Sequence, residues 1–329
     1  MKRETSTRIT PALLGLLAAL FGLAGGRAAV AAEWAPSEKV AMVVHASPGT
    51  GIDIFVRGLA EIMTRHKLVA RPVVVENVTG GRGERARRHV VAQNAGNPHV
   101  LFGFTPSLVN TAILLKSDIS VKSYTPIAVM AIEPMALFVN AESPYQSIAD
   151  LIEAARRKPK SVAQGGGPFG NVPSLTAKML GDEAKVEFAY VAFKGGGEGV
   201  VALLGNHVQF IMEQPSEVAA LVKDGKLRPL AGVQKLEMYP DLPTFASLGY
   251  RFKPLSQFRA VVAPPGLPAD VVRYYVRVLE RARETPEWKQ YVQRNELQEI
   301  WVTGSEFAAF LDDQETLYRR LNKEIGLVK

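Results

Sequence analysis

The chain contains no cysteine. Disulfide frameworks, thiolate zinc sites, iron–sulfur clusters and cysteine nucleophiles are therefore excluded, as is the cysteine-borne lipid anchor of bacterial lipoproteins. Histidine is scarce: the five, at positions 45, 66, 89, 99 and 207, show no metal-ligand spacing. Only His45, at the C-terminal end of a strand pattern, stands near a candidate site; His89 and His99 read as surface residues. Acids such as Asp53, Glu76, Glu133 and Glu213 occur singly, without the pairing that acid–base chemistry uses. No G-x-x-x-x-G-K-[ST] loop and no G-x-S-x-G elbow is present. Beyond residue 32, long hydrophobic runs are lacking too. Val90 to Leu115 carries no Asp, Glu, Lys or Arg, but Pro98, His99, Pro106 and three asparagines interrupt it.

What is present is an ordinary globular composition. Hydrophobic residues make up 47% and charged residues 22%, too many apolar groups for a disordered chain. The 329 residues suit two domains, each able to bury a core. Residues 1–32 read as a cleavable signal peptide. Lys2, Arg3 and Arg8 form a basic start, Ala12 to Ala24 an uncharged apolar core too short to span a bilayer, and Ala28 to Ala32 a small-residue cleavage site. Its removal takes out Lys2, Arg3, Arg8, Arg27 and Glu4, so the formal charge falls from +7 to +4. That balance is no nucleic-acid footprint; the run Arg82 to Arg88 includes Glu84, lacks aromatics and reads as the solvated face of a helix. The expected product is a soluble, exported protein.

The remaining chain alternates strand, loop and helix, which predicts doubly wound α/β sheets. Val40–Val44 is a buried-strand run, followed by the loop His45 to Asp53 and a helix with Ile54, Leu59, Ile62 and Met63 on one face. Pro72–Glu76 and Val100–Phe104 are further strands, each leading into a turn and helix. A second unit begins after Pro134. It comprises a strand Met135–Val139, a helix Ile148–Arg157 started by Ser147, and a glycine loop Gly165 to Asn171 before a helix from Pro173 to Leu180. A strand over 186–193, a helix Val200–Leu204 and strands Val208–Met212 and Leu227–Val233 complete it. The chain returns to the first unit through Phe258–Ala263 and ends in helices Ala269–Arg283 and Ser305–Ile325.

Gly165, Gly167 and Gly170 spell G-x-G-x-x-G after a strand, with Glu187 twenty residues past Gly167, the form of a dinucleotide fingerprint. Pro168 stiffens the loop where amides would meet a pyrophosphate, and free NAD is scarce outside the cell, so an exported dehydrogenase is the weaker reading. What recurs is a strand ending in a Gly/Ser/Thr/Asn loop at a helix N-terminus, at 45–53, 105–107, 165–174 and 194–199. Such ends present unpaired N–H groups and a positive dipole at the crevice of an α/β sheet. Four together favour a carboxylate-type ligand, and neither catalysis nor a cofactor.

These features resemble a known family. Val43 to Asp53, Pro72–Asn77, Lys194–Gly197, Gly225–Leu230, Leu242–Phe245 and Ala263–Gly266 are similar, in order and spacing, to the extracytoplasmic solute receptors of tripartite tricarboxylate transporters, the Bug receptors. The resemblance implies an α/β, type II periplasmic binding protein fold: two doubly wound lobes joined by two crossover strands. Residues 33–133 with 256–329 would form lobe 1 and 134–255 lobe 2. It implies a monomeric, non-enzymatic receptor that closes on a small carboxylate, a di- or tricarboxylate or an aromatic acid, and delivers it to membrane permease subunits, or one that signals to a sensor kinase. Family binding loops map onto Ser47, Gly49, Thr50, Asp53, Thr105 and Ser107 in the first lobe. In the second they map onto Gly165, Gly167, Asn171 and Ser174, with Lys194 and Gly195 nearby. Asp53 is expected to cap and brace its loop, since a bare carboxylate would repel an anionic ligand. Glu213 is expected either to contact a ligand amino group or, as the favoured reading, to form an inter-lobe salt bridge; Arg259 is expected to bring charge to the hinge or pocket, and Phe258 to cover the ligand.

Overall fold

A computed structural model describes residue 1 and residues 33–328 apart from 168, 194, 253 and 254. The expected signal peptide and Lys194 lie outside the described residues. Residues 35–329 form one compact unit.

Its strands, in chain order, are β1 (Val40–Val44), β2 (Val73–Asn77), β3 (Val100–Phe104), β4 (Thr125–Glu133), β5 (Ala136–Asn140) and β6 (Ala163–Gly166). They continue with β7 (Ala189–Ala192), β8 (Phe210–Glu213), β9 (Leu227–Gly232), β10 (Gln257–Ala263) and β11 (Gln298–Thr303). Between them lie helices α1 (Gly51–Arg65), α2 (Glu84–Arg88), α3 (Pro106–Leu114), α4 (Ile148–Arg157), α5 (Val172–Ala184) and α6 (Gly196–Leu204). The later helices are α7 (Pro215–Lys223), α8 (Ala269–Arg283), α9 (Pro286–Arg294) and α10 (Gly304–Glu324).

The strands form two mixed sheets, ordered β11-β4-β10-β3-β1-β2 and β7-β6-β8-β5-β9. In the first, β1 runs parallel to both β2 and β3, while β10 is antiparallel to β3 and β4. In the second, β6 is parallel to β7 and β8, and β5 is antiparallel to β8 and β9. The chain passes between the sheets after Glu133 and again between Gly232 and Gln257. β3 and β5 are buried along their whole length, which is why they read as continuous apolar runs without alternation.

Helices cover both faces of the second sheet. Leu137, Val139, Phe210 and Met212 pack with Leu151, Ile152, Ala177 and Leu180 on one side, and Phe138 and Ile211 with Leu203 and Val218 on the other. The first sheet's core also takes in Val172, Leu175 and Met179 of α5 beside Leu317 and Leu321 of α10, so an apolar seam joins the two halves. Local rules set the helix starts. Ser147 accepts from the Asp150 backbone N–H, and the Asp150 carboxylate accepts from Ser147 N at 2.9 Å, a reciprocal capping box.

Four expectations need correction. Ile54 is 49% exposed, because the buried stripe of α1 runs through Ile52, Phe55, Val56, Leu59, Ile62 and Met63. The strand expected over 186–193 is confined to Ala189–Ala192. Arg87 does not belong to a solvated face: it is 1% exposed, ion-paired to Glu84 and donating to Leu108 O at 3.2 Å. Phe258 is fully buried, between Phe104 at 6.4 Å and Phe310 at 5.2 Å, so its ring is core and covers no ligand. The strands β4 and β11 and the helices α7 and α9 are absent from the sequence-based assignment.

Candidate functional site

Where the C-terminal ends of β1, β6 and β8 meet, the two sheets face each other across a cavity of about 720 Å³. From the first sheet's side, His45, Ser47, Thr50, Arg82, Ser107 and Arg259 line it; from the second come Gly167, Asn171, Gly196, Glu213, Gln214 and Glu217.

The helices that open onto this space are built alike. Thr50, Thr105, Gly195 and Gln214 stand at the N-caps of α1, α3, α6 and α7, and none of them caps its helix through its side chain. Proline at the first turn of α3 and α7 removes a donor that would be orphaned anyway. The exception is α5, whose Asn171 Oδ1 accepts from Ser174 N at 2.9 Å. Four helix ends with free cap positions turn their positive dipole ends toward one cavity.

The first loop is held from behind. Asp53 accepts from Gly49 N at 2.9 Å, Arg57 Nε at 2.8 Å and Asn77 Nδ2 at 2.8 Å, and Asn77 also donates to Ala46 O. Burial alone would raise the Asp53 carboxyl, but these donors outweigh it and hold the group below its ordinary range. Thr50 Oγ1 donates to Ser47 O at 2.8 Å, closing the turn. Next to it runs a hydroxyl–imidazole chain: Thr105 Oγ1 to Ser107 Oγ at 2.8 Å, and Ser107 Oγ to His45 Nε2 at 3.2 Å. Burial, followed by the charge of Arg259, lowers His45 from 6.5 to about 4, so the ring is neutral at neutral pH.

Arg82 enters through a strained loop. Gly80, Gly81, Arg82 and Gly83 all have positive φ, a conformation that favours glycine. A Cβ at Gly83 would come 2.8 Å from Leu108 and 3.3 Å from His45. On the floor, Arg259 on β10 pairs with Glu133 on β4 at 2.5 Å, and Glu133 Oε2 accepts from Gln214 Nε2 at 2.7 Å. Arg259 is 5% exposed, and its guanidinium lies against Gly51, the first residue of α1. Glu213 has no cationic partner among the described residues, so the inter-lobe salt bridge expected of it does not form. Its Oε1 instead accepts from Gln214 N at 3.3 Å, and the nearby Glu217 carboxylate adds to burial in raising its carboxyl.

Of the residues singled out from sequence, Ser47, Thr50, Ser107, Gly167 and Asn171 line the cavity. Gly49 and Asp53 brace its first loop, and Thr105 stands behind Ser107. Gly165 lies within β6, where a Cβ would meet Val208. Ser174 is 2% exposed, accepting from Gly170 N and donating to Asn171 O. Gly195 precedes the lining residue Gly196. Sequence reading missed Arg82, Asn110, Glu217 and Tyr318 as lining residues; the glycine run around Arg82 was the available signal. Glu187, the acid of the dinucleotide fingerprint, pairs with Lys160 away from this cavity.

Two sheets with a ligand-sized crevice at their strand ends match known receptors. A family profile described as "Tripartite tricarboxylate transporter family receptor" matches residues 55–327. The chain belongs to this receptor family. The receptor is 24% identical to the protein BugT of Bordetella pertussis over 325 residues, covering 95% of this chain and 97% of BugT. It shares its two-lobed periplasmic-binding-protein fold with MatC of Rhodopseudomonas palustris, solved with bound malate (TM-score 0.70, 20% identity, 87% of this chain and 99% of that one). A second R. palustris protein, solved with adipate, gives a TM-score of 0.74 at 21% identity over 88% of this chain and 98% of the other. Among the described residues no helix of the receptor is long and apolar enough to cross a membrane.

Proposed function

We propose that the receptor works in the periplasm, exported by residues 1–32, where it captures a small carboxylate between its lobes and delivers it to membrane permease subunits. The observation that supports this reading is the convergence of four helix N-termini, without side-chain caps, on one cavity that also holds Arg82 and Arg259. Backbone N–H groups and a positive dipole suit an anion; malate and adipate in the two structural relatives are of that chemistry. Ser47, Gly49, Thr50, Thr105 and Ser107 would hold one carboxylate on the first lobe, with Asp53 bracing that loop. Gly167, Asn171, Lys194 and Gly195 would read the rest of the ligand on the second lobe, with Gly165 and Ser174 shaping the loop from behind. Ligand contacts made only when both lobes touch it stabilise the closed form and drive closure.

The test is a thermal-shift panel of mono-, di- and tricarboxylates on purified, ligand-free receptor. At least one should raise Tm, by an amount that keeps growing with the logarithm of its concentration above Kd. No shift with any of them would overturn the reading.

A further inference from the structure

Next to the cavity, but outside its lining, lies a buried ion pair. Arg87 on α2 is 1% exposed and pairs with Glu84, the first residue of the same helix. Its Nη1 donates at 3.2 Å to the O of Leu108, in the first turn of α3. Glu84 Oε1 accepts from Ser117 Oγ at 3.0 Å and pairs with Arg88 Nε at 2.9 Å. Directly before Glu84 comes the strained loop. Every residue from Gly80 to Gly83 has positive φ, and Arg82, at 56°, carries a side chain there. Such a conformation lasts only where its surroundings over-determine it. Asn77 fixes one end by donating to Asp53 and to Ala46 O, and Glu84 fixes the other. Between them Gly83 lies so near Leu108 that a Cβ would come within 2.8 Å of its side chain.

We infer that Arg87 is a positioning residue for ligand binding: it clamps the loop that carries Arg82 to the start of α3, and so fixes the first sheet's half of the cavity in one geometry. This role rests on the reading of the cavity as a carboxylate site, which gives Arg82 an anion to meet. Stability alone does not account for the pair. A buried ion pair is worth little more than apolar side chains of the same volume. Here Arg87 Nε and Tyr124 Oη are also buried without hydrogen-bond partners, which adds to the cost. What the pair provides is direction. The guanidinium is planar with donors in a fixed fork, so meeting Glu84 and Leu108 O together sets the placement of α2 against α3. Apolar packing would let the loop relax toward ordinary backbone angles and carry Arg82 away from the cavity. Arg87 lines no part of the cavity, so it acts only through Arg82 and the loop of Thr105 and Ser107.

Hydrogen exchange on the ligand-free receptor tests the clamp, and calorimetry with the panel's carboxylates, malate and adipate first, tests its effect on binding. The variants are Arg87→Met and Glu84→Gln/Arg87→Met, the second removing the pair without leaving an unpaired carboxylate; circular dichroism checks that both are folded. Amides of residues 80–84 and 107–109 should exchange at least about tenfold faster than in wild type through local opening, and those of β6 and β8 by a clearly smaller factor. Affinity should fall at least about fivefold, but by less than about twofold where Arg82→Gln is already present, the non-additivity of a residue that acts through another. Arg87→Lys, which keeps the charge beside Glu84 but not the fork, should recover part of the affinity. Exchange that is unchanged at both loops, or raised by the same factor in β6 and β8, overturns the inference and leaves the carboxylate reading standing. An equal loss of affinity with and without Arg82→Gln does the same. If the wild type binds no carboxylate of the panel, both fall.

Discussion

Asp53 shows how one buried side chain serves a site it does not line. Three donors converge on it from Gly49, Arg57 and Asn77, and together they fix the loop that carries Ser47 and Thr50. Asp53→Ala should lower stability by about 2 kcal/mol, since the Gly49 and Asn77 donors lose their acceptor; urea unfolding measures this. Asp53→Asn should cost less, because one acceptor oxygen remains. A loss of affinity without loss of stability in Asp53→Ala would instead mean direct ligand contact. Ser174 illustrates the same division. Its hydroxyl lies inside the 170–174 turn, so its polarity in the sequence signalled loop geometry.

At the scale of elements, the glycine-rich turn before α5 is tied to two helices of the other half. Asn110 on α3 donates to Gly170 O at 2.5 Å, and Asn322 on α10 donates to Asn110 Oδ1 at 2.5 Å. Both asparagines are buried. Asn110→Ala would leave Gly170 O and the Asn322 amide without these partners, at a cost of about 1–3 kcal/mol. The expected outcome is a lower urea midpoint, with m unchanged if the fold stays two-state. A variant as stable as wild type would show that water replaces the asparagine. Neither asparagine could be paired with the loop from sequence, as they lie 60 and 152 residues from Gly170.

For the whole molecule, two cavity groups make stability depend on pH in opposite senses. Glu213 is raised from 4.5 to about 8 by burial first and by neighbouring carboxylates second. Its contribution is complete below pH 4.5, where the unfolded group is also protonated, and is lost as pH rises toward 8. His45 is lowered from 6.5 to about 4; its contribution is present above 6.5 and lost as pH falls toward 4. Glu213→Gln, measured without ligand, should gain stability relative to wild type as pH rises from 5 to 8, by thermal denaturation at each pH. A constant difference across that range would show that Glu213 does not titrate differently in the folded state.

The local parts of this receptor were determined by the sequence itself. Apolar runs at Val40–Val44 and Val100–Phe104 made strands. Ser147 with Asp150 and Asn171 with Ser174 set helix starts, and the glycine loops followed from backbone conformations that side chains disfavour. The N-terminal ends of α1, α3 and α6 facing the cavity were legible because strand, loop and helix are neighbours in the chain; that of α7 was not. The charge on its walls was decided only by the tertiary structure. Arg82 left the helix face that the charge pattern of residues 82–88 suggested, because residues 80–83 all have positive φ and carry it to the cavity lining. Arg259, Glu133, Glu213 and Glu217 met on one floor because two chain crossings bring β4, β8 and β10 together. Burial then moved their proton affinities, which depend on neighbours that no local window contains.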